Sequence, residues 1–518
     1  MEKQTPWFIT TPGKQRILLL IIFLLTLTDM LQSGMMAFAA GPLMGETGTS
    51  PEQYSFITAS YACVAILMIS KQRWIVERTG WRLYIAVSLM IFAVGAFMCS
   101  KSNTYHSLLT GRIVMAAGGA SFLTGARVMV NLIPPGPRRF SGIKAFASGL
   151  ASGTALAPFL AAWCVEDVRW TGIFLLLILI ATVVLMLSVS CLPDETPSER
   201  LKSQSHPFLL MALATGAFAI LWVLQRSDYR FFSDSVVLGL ILLLGITALY
   251  YFLTSVVRFH GVPLLMVREL FSRPSYILGV SLFSFCYIMI GLNGYFLPQL
   301  LRTGLGYSWG TVGTWYGAGL SGVLIAWLIM GHLLPKRPGA KKFFITGFIL
   351  LALYGGIMGD LSPQANLVVN IVPAIGCYGA FIMLVMATTA MQTFREIQHN
   401  ETVFSHANQI KNMAAQFATA IGLTVANIGM QWRTTAHYNI LNNAVETTNP
   451  VYQAAVHAVS QQYSQWLGTD QASKAAFVWV ANQVKQQSII LASLDFGHAI
   501  CITGLVLAIA MGCQKIMH

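Results

Sequence analysis

Charge is what this sequence has least of. Asp, Glu, Lys and Arg make up 10% of its 518 residues, while 55% are hydrophobic; a soluble domain carries roughly 25% charged residues. A water-facing surface of ordinary polarity cannot be built from so few charges, so lipid must cover much of the molecule. The usual soluble prior, about three domains at this length, therefore does not apply. Cysteine is scattered as well as scarce: Cys63, Cys99, Cys164, Cys191, Cys286, Cys377, Cys501 and Cys513 form no CxxC pair. Neither a zinc site nor a disulfide framework is expected from that spacing. The ten histidines are equally dispersed. With no metal-ligand cluster, nucleophile motif or phosphate-binding loop, an enzyme is not expected.

The net charge is +13, but most basic residues lie in short connections between apolar blocks. Nucleic-acid binding needs Lys and Arg clustered on an exposed domain, so it is not expected. No cleavable leader is expected either. The first apolar stretch follows Lys14 and Arg16, runs to about Leu43, and has no small-residue cleavage site.

Long apolar runs are what is present. A spanning helix needs about 20 mostly apolar residues, and such blocks fall near 17–40, 54–70, 83–100, 106–133, 141–163 and 171–192. A polar stretch follows, through Pro193, Asp194, Glu195 and Lys202 to His206, and reads as a cytoplasmic linker over 193–206. Further blocks lie near 207–225, 234–257, 276–301, 311–334, 343–360, 365–393, 405–431 and 490–513. Basic residues favour one set of connections: Lys14 and Arg16; Lys71, Arg73, Arg78 and Arg82; Arg138, Arg139 and Lys144; Arg258, Arg268 and Arg273; Lys336, Lys341 and Lys342. The opposite set is poorer, apart from Arg226 and Arg230 after the seventh block. The positive-inside rule then places both termini in the cytoplasm.

Residues 433–487 differ from the rest. They are polar and read as a helical hairpin on the outer side. Asn449 and Pro450 make a helix start; Tyr452, Val456, Val459, Tyr463, Trp466 and Leu467 recur at helical spacing, Gly468 ends that run, and a second helix begins at Thr469. Such a hairpin either packs on the protein's own outer mouth or docks a periplasmic partner.

Ionisable groups within a span cost a few kcal/mol even on lenient scales, so each is a functional candidate. Asp29 lies midway along the first block, with Gln32, Ser33 and Met36 on the same helical face. Burial disfavours a charged carboxylate, so an acid placed there can exchange a proton near neutral pH. The alternative is a carboxylate that merely ties two helices together. Arg112 is its natural basic partner; Arg112, Arg127 and Lys411 could also simply snorkel to the interface. In the fifth block, Gly149, Gly153 and Ala157 share four-residue spacing ahead of Pro158. That pattern suits a hinge or seal between moving halves, or plain tight packing.

Several runs together resemble the fourteen-helix drug:proton antiporter branch (EmrB/QacA type) of the major facilitator superfamily. They are Pro263-Leu264-Leu265 through Leu270-Phe271-Ser272-Arg273, Leu297-Pro298-Gln299-Leu300-Leu301 with Gly306-Tyr307-Ser308, and Asn412 through Ile421-Gly422. The family's loop motif G-x-x-x-D-R-x-G-R-[RK] stands here as Arg73-Trp74-Ile75-Val76-Glu77-Arg78-Thr79-Gly80-Trp81-Arg82, with Arg73 in place of its leading glycine. The pseudo-repeat Gly331-His332-Leu333-Leu334-Pro335-Lys336 keeps the glycine and loses the acid. Three helices depart further. The family acid of helix one falls at Ser33, with Asp29 one turn earlier; helix four reads Arg112-Ile113-Val114-Met115-Ala116 in place of R-x-x-Q-G; and the helix-five antiporter motif is reduced to Gly153…Ala157-Pro158.

The resemblance implies an all-α membrane protein with about fourteen spanning helices. Two six-helix bundles (1–192 and 258–518) would flank two additional helices (207–257), around a cavity at the bilayer midplane. It implies proton coupling at Asp29 and Arg112, and a substrate cavity lined by Asp29, Gln32, Ser33, Met36, Met115, Asn293, Gln299 and Asn412. Gating falls to Glu77, Arg78, Gly80, Gly331, Lys336, Gly149, Gly153 and Pro158. Expected partners are membrane lipid, a small-molecule substrate, and a periplasmic adaptor with its outer-membrane channel. The expected location is a bacterial inner membrane, and the expected driving force is the proton gradient, with no metal or cofactor. Export of a drug-like compound, metabolite or siderophore, proton-coupled import on the same fold, and a scaffold or receptor without transport all stay open.

Overall fold

The computed structural model describes residues 12–134, 136–192, 202–230, 233–259, 263–336, 339–362, 364–443, 445 and 448–517; most of the linker, 193–201, lies outside these. The described residues are helical almost throughout. In the first half the helices are α1 (Pro12–Phe38), α2 (Ala40–Thr47), α3 (Pro51–Ser100), α4 (Tyr105–Gly119), α5 (Phe122–Leu132), α6 (Pro137–Trp163) and α7 (Gly172–Cys191). Then come α8 (Pro207–Arg230), α9 (Ser235–Arg258) and the short α10 (Val267–Phe271). The second half holds α11 (Pro274–Pro298), α12 (Trp309–Leu320), α13 (Gly322–Lys336), α14 (Ala340–Gly359), α15 (Val372–Phe394), α16 (Glu401–Asn442), α17 (Pro450–Ser464) and α18 (Thr469–Cys513).

Among the described residues, thirteen helices are long and apolar enough to span a membrane, with α4–α5 and α12–α13 each counting as one. The 50-residue α3 supplies two crossings. At Gly80 its backbone turns to φ 77°, ψ 164°, a conformation essentially reserved for glycine. Over the thirteen residues from Gln72 to Ile85 a straight helix would advance about 20 Å. Instead, Gln72 Nε2 and Ile85 Cδ1 lie 3.1 and 3.6 Å from the position of a Cβ on Gly125. Both arms of α3 thus flank α5. Counting each arm of α3 separately, the described residues hold fourteen segments of spanning length, the number expected from hydropathy.

Small residues let these helices approach, because lipid gives apolar side chains little reason to prefer protein neighbours and packing must hold helices together. The α11–α16 crossing is closest at Gly291 and Gly422, where an added Cβ would strike the Thr419 and Ile288 carbonyl oxygens. On the first half, a Cβ on Gly149 would lie 2.5 Å from the Phe23 carbonyl, and one on Gly153 would lie 2.6 Å from Met30 Cβ. These two glycines therefore seat α6 on α1 within one half.

The additional pair takes a side position. α8 lies in the groove between the first arm of α3 and α16: Cys63 Sγ approaches the Ala214 carbonyl at 3.6 Å, and Thr424 donates to the Leu224 carbonyl at 3.1 Å. α9 packs mainly on α8 and leaves Leu240 and Tyr250 exposed, as a lipid-facing helix should. This pair also accounts for the misplaced basic residues. Arg226 forms an ion pair with Glu52, and Arg230 Nε stands 3.7 Å from the same carboxylate, so the excess charge in that connection is largely neutralised.

α16 has 42 residues and α18 has 45. Both are about twice the length that a hydrocarbon core of about 30 Å requires. Their extensions and α17 form the expected hairpin. Asn449 Oδ1 accepts from the Val451 N–H at 3.0 Å with Pro450 in the first turn. α18 then runs unbroken from Thr469 into the last span. Arg433 Nε and His437 Nε2 both reach Asp495, at 2.7 and 2.6 Å, and tie the two long helices where they leave the bundle. Contrary to a well-packed outer cap, α17 buries none of its residues; Val451 and Trp466 are 75% and 84% exposed.

Candidate functional site

Asp29 sits where the two halves meet. It is half-buried on α1, and its charge interacts with Lys411 on α16, Tyr61 on α3 and Tyr287 on α11. Those neighbours come from both halves, so the carboxylate faces the interior and not the acyl chains. Among the described residues it forms no ion pair. The expected partner, Arg112, does not meet it directly. Arg112 lies over the Tyr61 ring, 4.1 Å from its centroid, with Nη1 3.4 Å from Met115 Sδ. Gln32 donates to the Tyr61 hydroxyl at 2.5 Å, so Arg112 and Gln32 converge on one ring. Met36 and Met115 are buried beside them. Ser33 is exposed and turns its hydroxyl back to the Asp29 carbonyl oxygen at 2.9 Å; it does not touch the carboxylate.

Snorkelling is excluded for Lys411. Lys411 is 6% exposed, with Nζ 4.8 Å from the Phe283 ring centroid. The Arg127 guanidinium lies 5.7–5.9 Å from the rings of Phe146, Phe394 and Phe404. Aromatic faces attract cations electrostatically and offset part of the cost of drawing them from water.

A row of amides on α16 joins the halves beside Lys411. Asn412 Nδ2 donates to Thr124 Oγ1 at 2.5 Å, Asn408 Nδ2 to the Thr124 carbonyl at 3.2 Å, and Gln409 Nε2 to the Ile69 carbonyl at 2.7 Å. The acceptor oxygens of Asn412, Asn408, Gln409 and Gln32 remain buried without protein partners. Buried polar atoms normally find a partner, so these mark places for water or a polar ligand. The polar run in block thirteen was visible in the sequence; its opposite number, Thr124, carried no signal.

The loop motif closes the end of the bundle where the basic connections lie. Glu77 pairs with Arg73 at 2.6 Å and not with Arg78. It also accepts from the Ser203 N–H and hydroxyl at 2.6 and 2.8 Å. Arg73 stands where the family has glycine, and its Nη2 reaches across to Thr402 Oγ1 at 2.9 Å in the second half. The departure from the motif is therefore what builds the latch. Arg78 lies over Trp74 at 4.0 Å and donates to the Ser203 carbonyl at 3.0 Å. Removing one member of a buried ion pair strands the other, at a cost of roughly 3 kcal/mol. Arg73→Ala is expected to lower the melting temperature and speed maleimide labelling of a Val403→Cys reporter, buried beside the latch, in a cysteine-free background; unchanged labelling would mean that Arg73 holds nothing shut.

The second seam lies along α6, on a different face from Gly149 and Gly153. A Cβ on Gly313 of α12 would strike Ala162 Cβ and lie 2.8 Å from the Pro158 carbonyl, and one on Gly317 would lie 3.0 Å from the Ala155 carbonyl. Pro158 thus belongs to the contact between halves, whereas Gly149 and Gly153 do not. At the hairpin end, Glu166 accepts from the Gly310 N–H at 2.5 Å, placing negative charge at the start of α12 as the helix dipole favours. Both ends of the interface between halves are bridged in this conformation. Asn293 is 1% exposed and enclosed in the second half by Tyr354, so it packs within that bundle and does not line the cavity. Gln299 lies at the hairpin end and accepts from Thr303 at 3.4 Å. Lys336 is exposed beside His332 at 2.8 Å, and Gly331 approaches nothing across the interface; among the described residues the repeated motif makes no latch.

Residues 22–423 match the family model described as Major Facilitator Superfamily. The chain belongs to that superfamily. Among curated members, an MFS-type transporter of Bacillus subtilis (strain 168), YhcA, is 22% identical over 90% of this chain and 87% of its own length. The putative multidrug resistance protein MdtD of Yersinia pestis (strain Pestoides F) is 23% identical, covering 77% of this chain and 83% of its own. Among solved superfamily structures, one from a study of substrate recognition in proton-dependent oligopeptide transporters aligns with TM-score 0.57 at 12% identity, over 96% of this chain and 98% of that one. A bacterial homologue of the human lysosomal transporter Spinster, inward-facing and occupied, gives 0.54 at 15% identity, over 98% of each chain. This is a multi-pass membrane protein of a transporter family, not of an enzyme family.

Proposed function

We infer that this chain is a proton-coupled secondary transporter that exports a small amphipathic molecule across a bacterial inner membrane, in the fourteen-helix drug:proton antiporter branch. The observation that carries the reading is Asp29, a half-buried acid between the two halves that forms no ion pair among the described residues. Its charge interacts with Lys411 on one side and Tyr61 on the other, so gain or loss of a proton alters the electrostatics on which both halves rest. The fourteen crossings support the branch, and the name of the MdtD relatives supports export. The basic connections support a cytoplasmic location for the Arg73 latch and for both termini. The long hairpin then projects outward, where its exposed Val451 and Trp466 suit a periplasmic adaptor leading to an outer-membrane channel. The proton gradient is the energy source in this reading, with no bound cofactor.

Everted vesicles with an acidified lumen test it, using one anionic, one cationic and one neutral fluorescent amphiphile. Accumulation of at least one of them that collapses with the proton gradient is the expected result; flux indifferent to the gradient for all three overturns it. A second reading, inward proton symport, is favoured by one feature. Lys411 can pair with Asp29 or with an anionic ligand, so neutralising Asp29 frees Lys411 for the ligand. Under that reading the same vesicles lose a preloaded anion as their lumen is acidified.

A further inference from the structure

A narrow chamber lies between the halves, bounded by α5 and α6 on one side and α13, α15 and α11 on the other. Arg127 and Lys411 are the charged groups among its described lining residues, and no carboxylate joins them there. Lys411 is buried and Arg127 half-buried, and charge within a spanning helix is costly unless compensated. Arg127 has rings around it and a second cation, Arg139, as its electrostatic neighbour. Arg139 is already engaged, donating to the Ile133 and Asn131 carbonyls at 2.6 and 3.0 Å. Asp29 acts on Lys411 from outside this lining, so one acid stands against two chamber cations. The remainder of the wall is mostly apolar and adaptable, with Met330, Met383, Met386 and Met391, and Trp327 on the same side, opposite Phe146. Methionine side chains rearrange easily around irregular shapes, which lets a narrow chamber widen around a guest.

We propose that this chamber binds amphipathic organic anions, with the acid group between Arg127 and Lys411 and the apolar body among the methionines and aromatic rings. Its physiological meaning rests on the transporter reading above, but binding itself does not. A cationic amphiphile would have to enter against two like charges, so the site selects by sign of charge as well as by shape. The Arg127 fork suits a carboxylate or sulfonate, and each charge-assisted contact gains strength in a low-dielectric wall.

The test is equilibrium binding to the full-length protein in nanodiscs of zwitterionic lipid, using pyrenebutyrate and the matched pyrenebutylammonium. The anion is expected to bind at least tenfold more tightly. Arg127→Gln and Lys411→Gln should each weaken anion binding by about tenfold without weakening the cation, whereas Lys474→Gln on the exposed hairpin should leave both affinities unchanged. Arg127→Lys, which keeps the charge, should recover most of the anion affinity; this guards against loss through misfolding. Equal affinity for the two probes, or anion binding indifferent to both chamber substitutions, overturns the proposal. Tight anion binding without gradient-driven flux would leave this site standing and reject the transport reading; driven flux of the cation alone would do the reverse.

Discussion

Asp29→Asn is expected to abolish gradient-driven transport while leaving a folded, membrane-inserted protein. Asparagine keeps the size and most of the hydrogen-bonding capacity of aspartate but cannot ionise. The helix should tolerate it, because Asp29 forms no ion pair among the described residues and its loss strands no hydrogen-bonded partner. Lys411 loses its counter-charge but keeps the Phe283 face 4.8 Å away. Counterflow, which exchanges labelled for unlabelled substrate without a gradient, should survive, whereas accumulation driven by the pH difference should fall to background. A mutant that still accumulates substrate in response to the gradient would show that the coupling proton is carried elsewhere. The expected change is large because a single group is assigned the coupling, and conservative replacement leaves nothing in its place to titrate.

Gly80→Val should have the largest effect on folding. At φ 77° and ψ 164° a β-branched residue is strained by about 1–3 kcal/mol or more. The strain falls on the turn that sends the second arm of α3 back across the membrane. Trp81 and Ile85 beyond that turn, together with Gln72 before it, all come close to Gly125, so any relaxation of the turn is felt at α5. Gly80→Val is expected to reduce the yield of monodisperse protein several-fold, with Gly80→Ala intermediate, as read by size-exclusion of a fluorescent fusion. Wild-type yield and melting in the valine variant would mean that the reversal does not depend on glycine here.

These two positions differ in how plainly the chain announced them. Asp29 stood out because an acid within twenty apolar residues is rare and costly, whatever surrounds it. Gly80 was visible within a loop motif, but its role as the turning point of a 50-residue helical element needed backbone angles. The direction of Lys411 is not legible in the sequence. At the start of an apolar block, an outward-snorkelling lysine and one turned inward over an aromatic face have the same local pattern. The direction depends on how α16 is rotated about its axis, which Phe283 and the Thr124 contacts decide. Arg73 was first noted as a lost glycine; only Thr402, more than three hundred positions away, makes it a latch.

The sequence by itself determined that this is a membrane protein with about fourteen crossings and a polar helical hairpin before the last of them. Those properties are sums over contiguous residues, so no partner need be known to compute them. Tertiary structure decided which charges meet. It set Arg112 over Tyr61 and not against Asp29, Glu77 on Arg73 and not on Arg78, and Arg127 with Lys411 in one chamber. Pairing inside a bundle depends on the azimuth and tilt of each helix, and these are set by close contacts such as Gly291 with Thr419 and Gly313 with Ala162, whose partners lie far away along the chain.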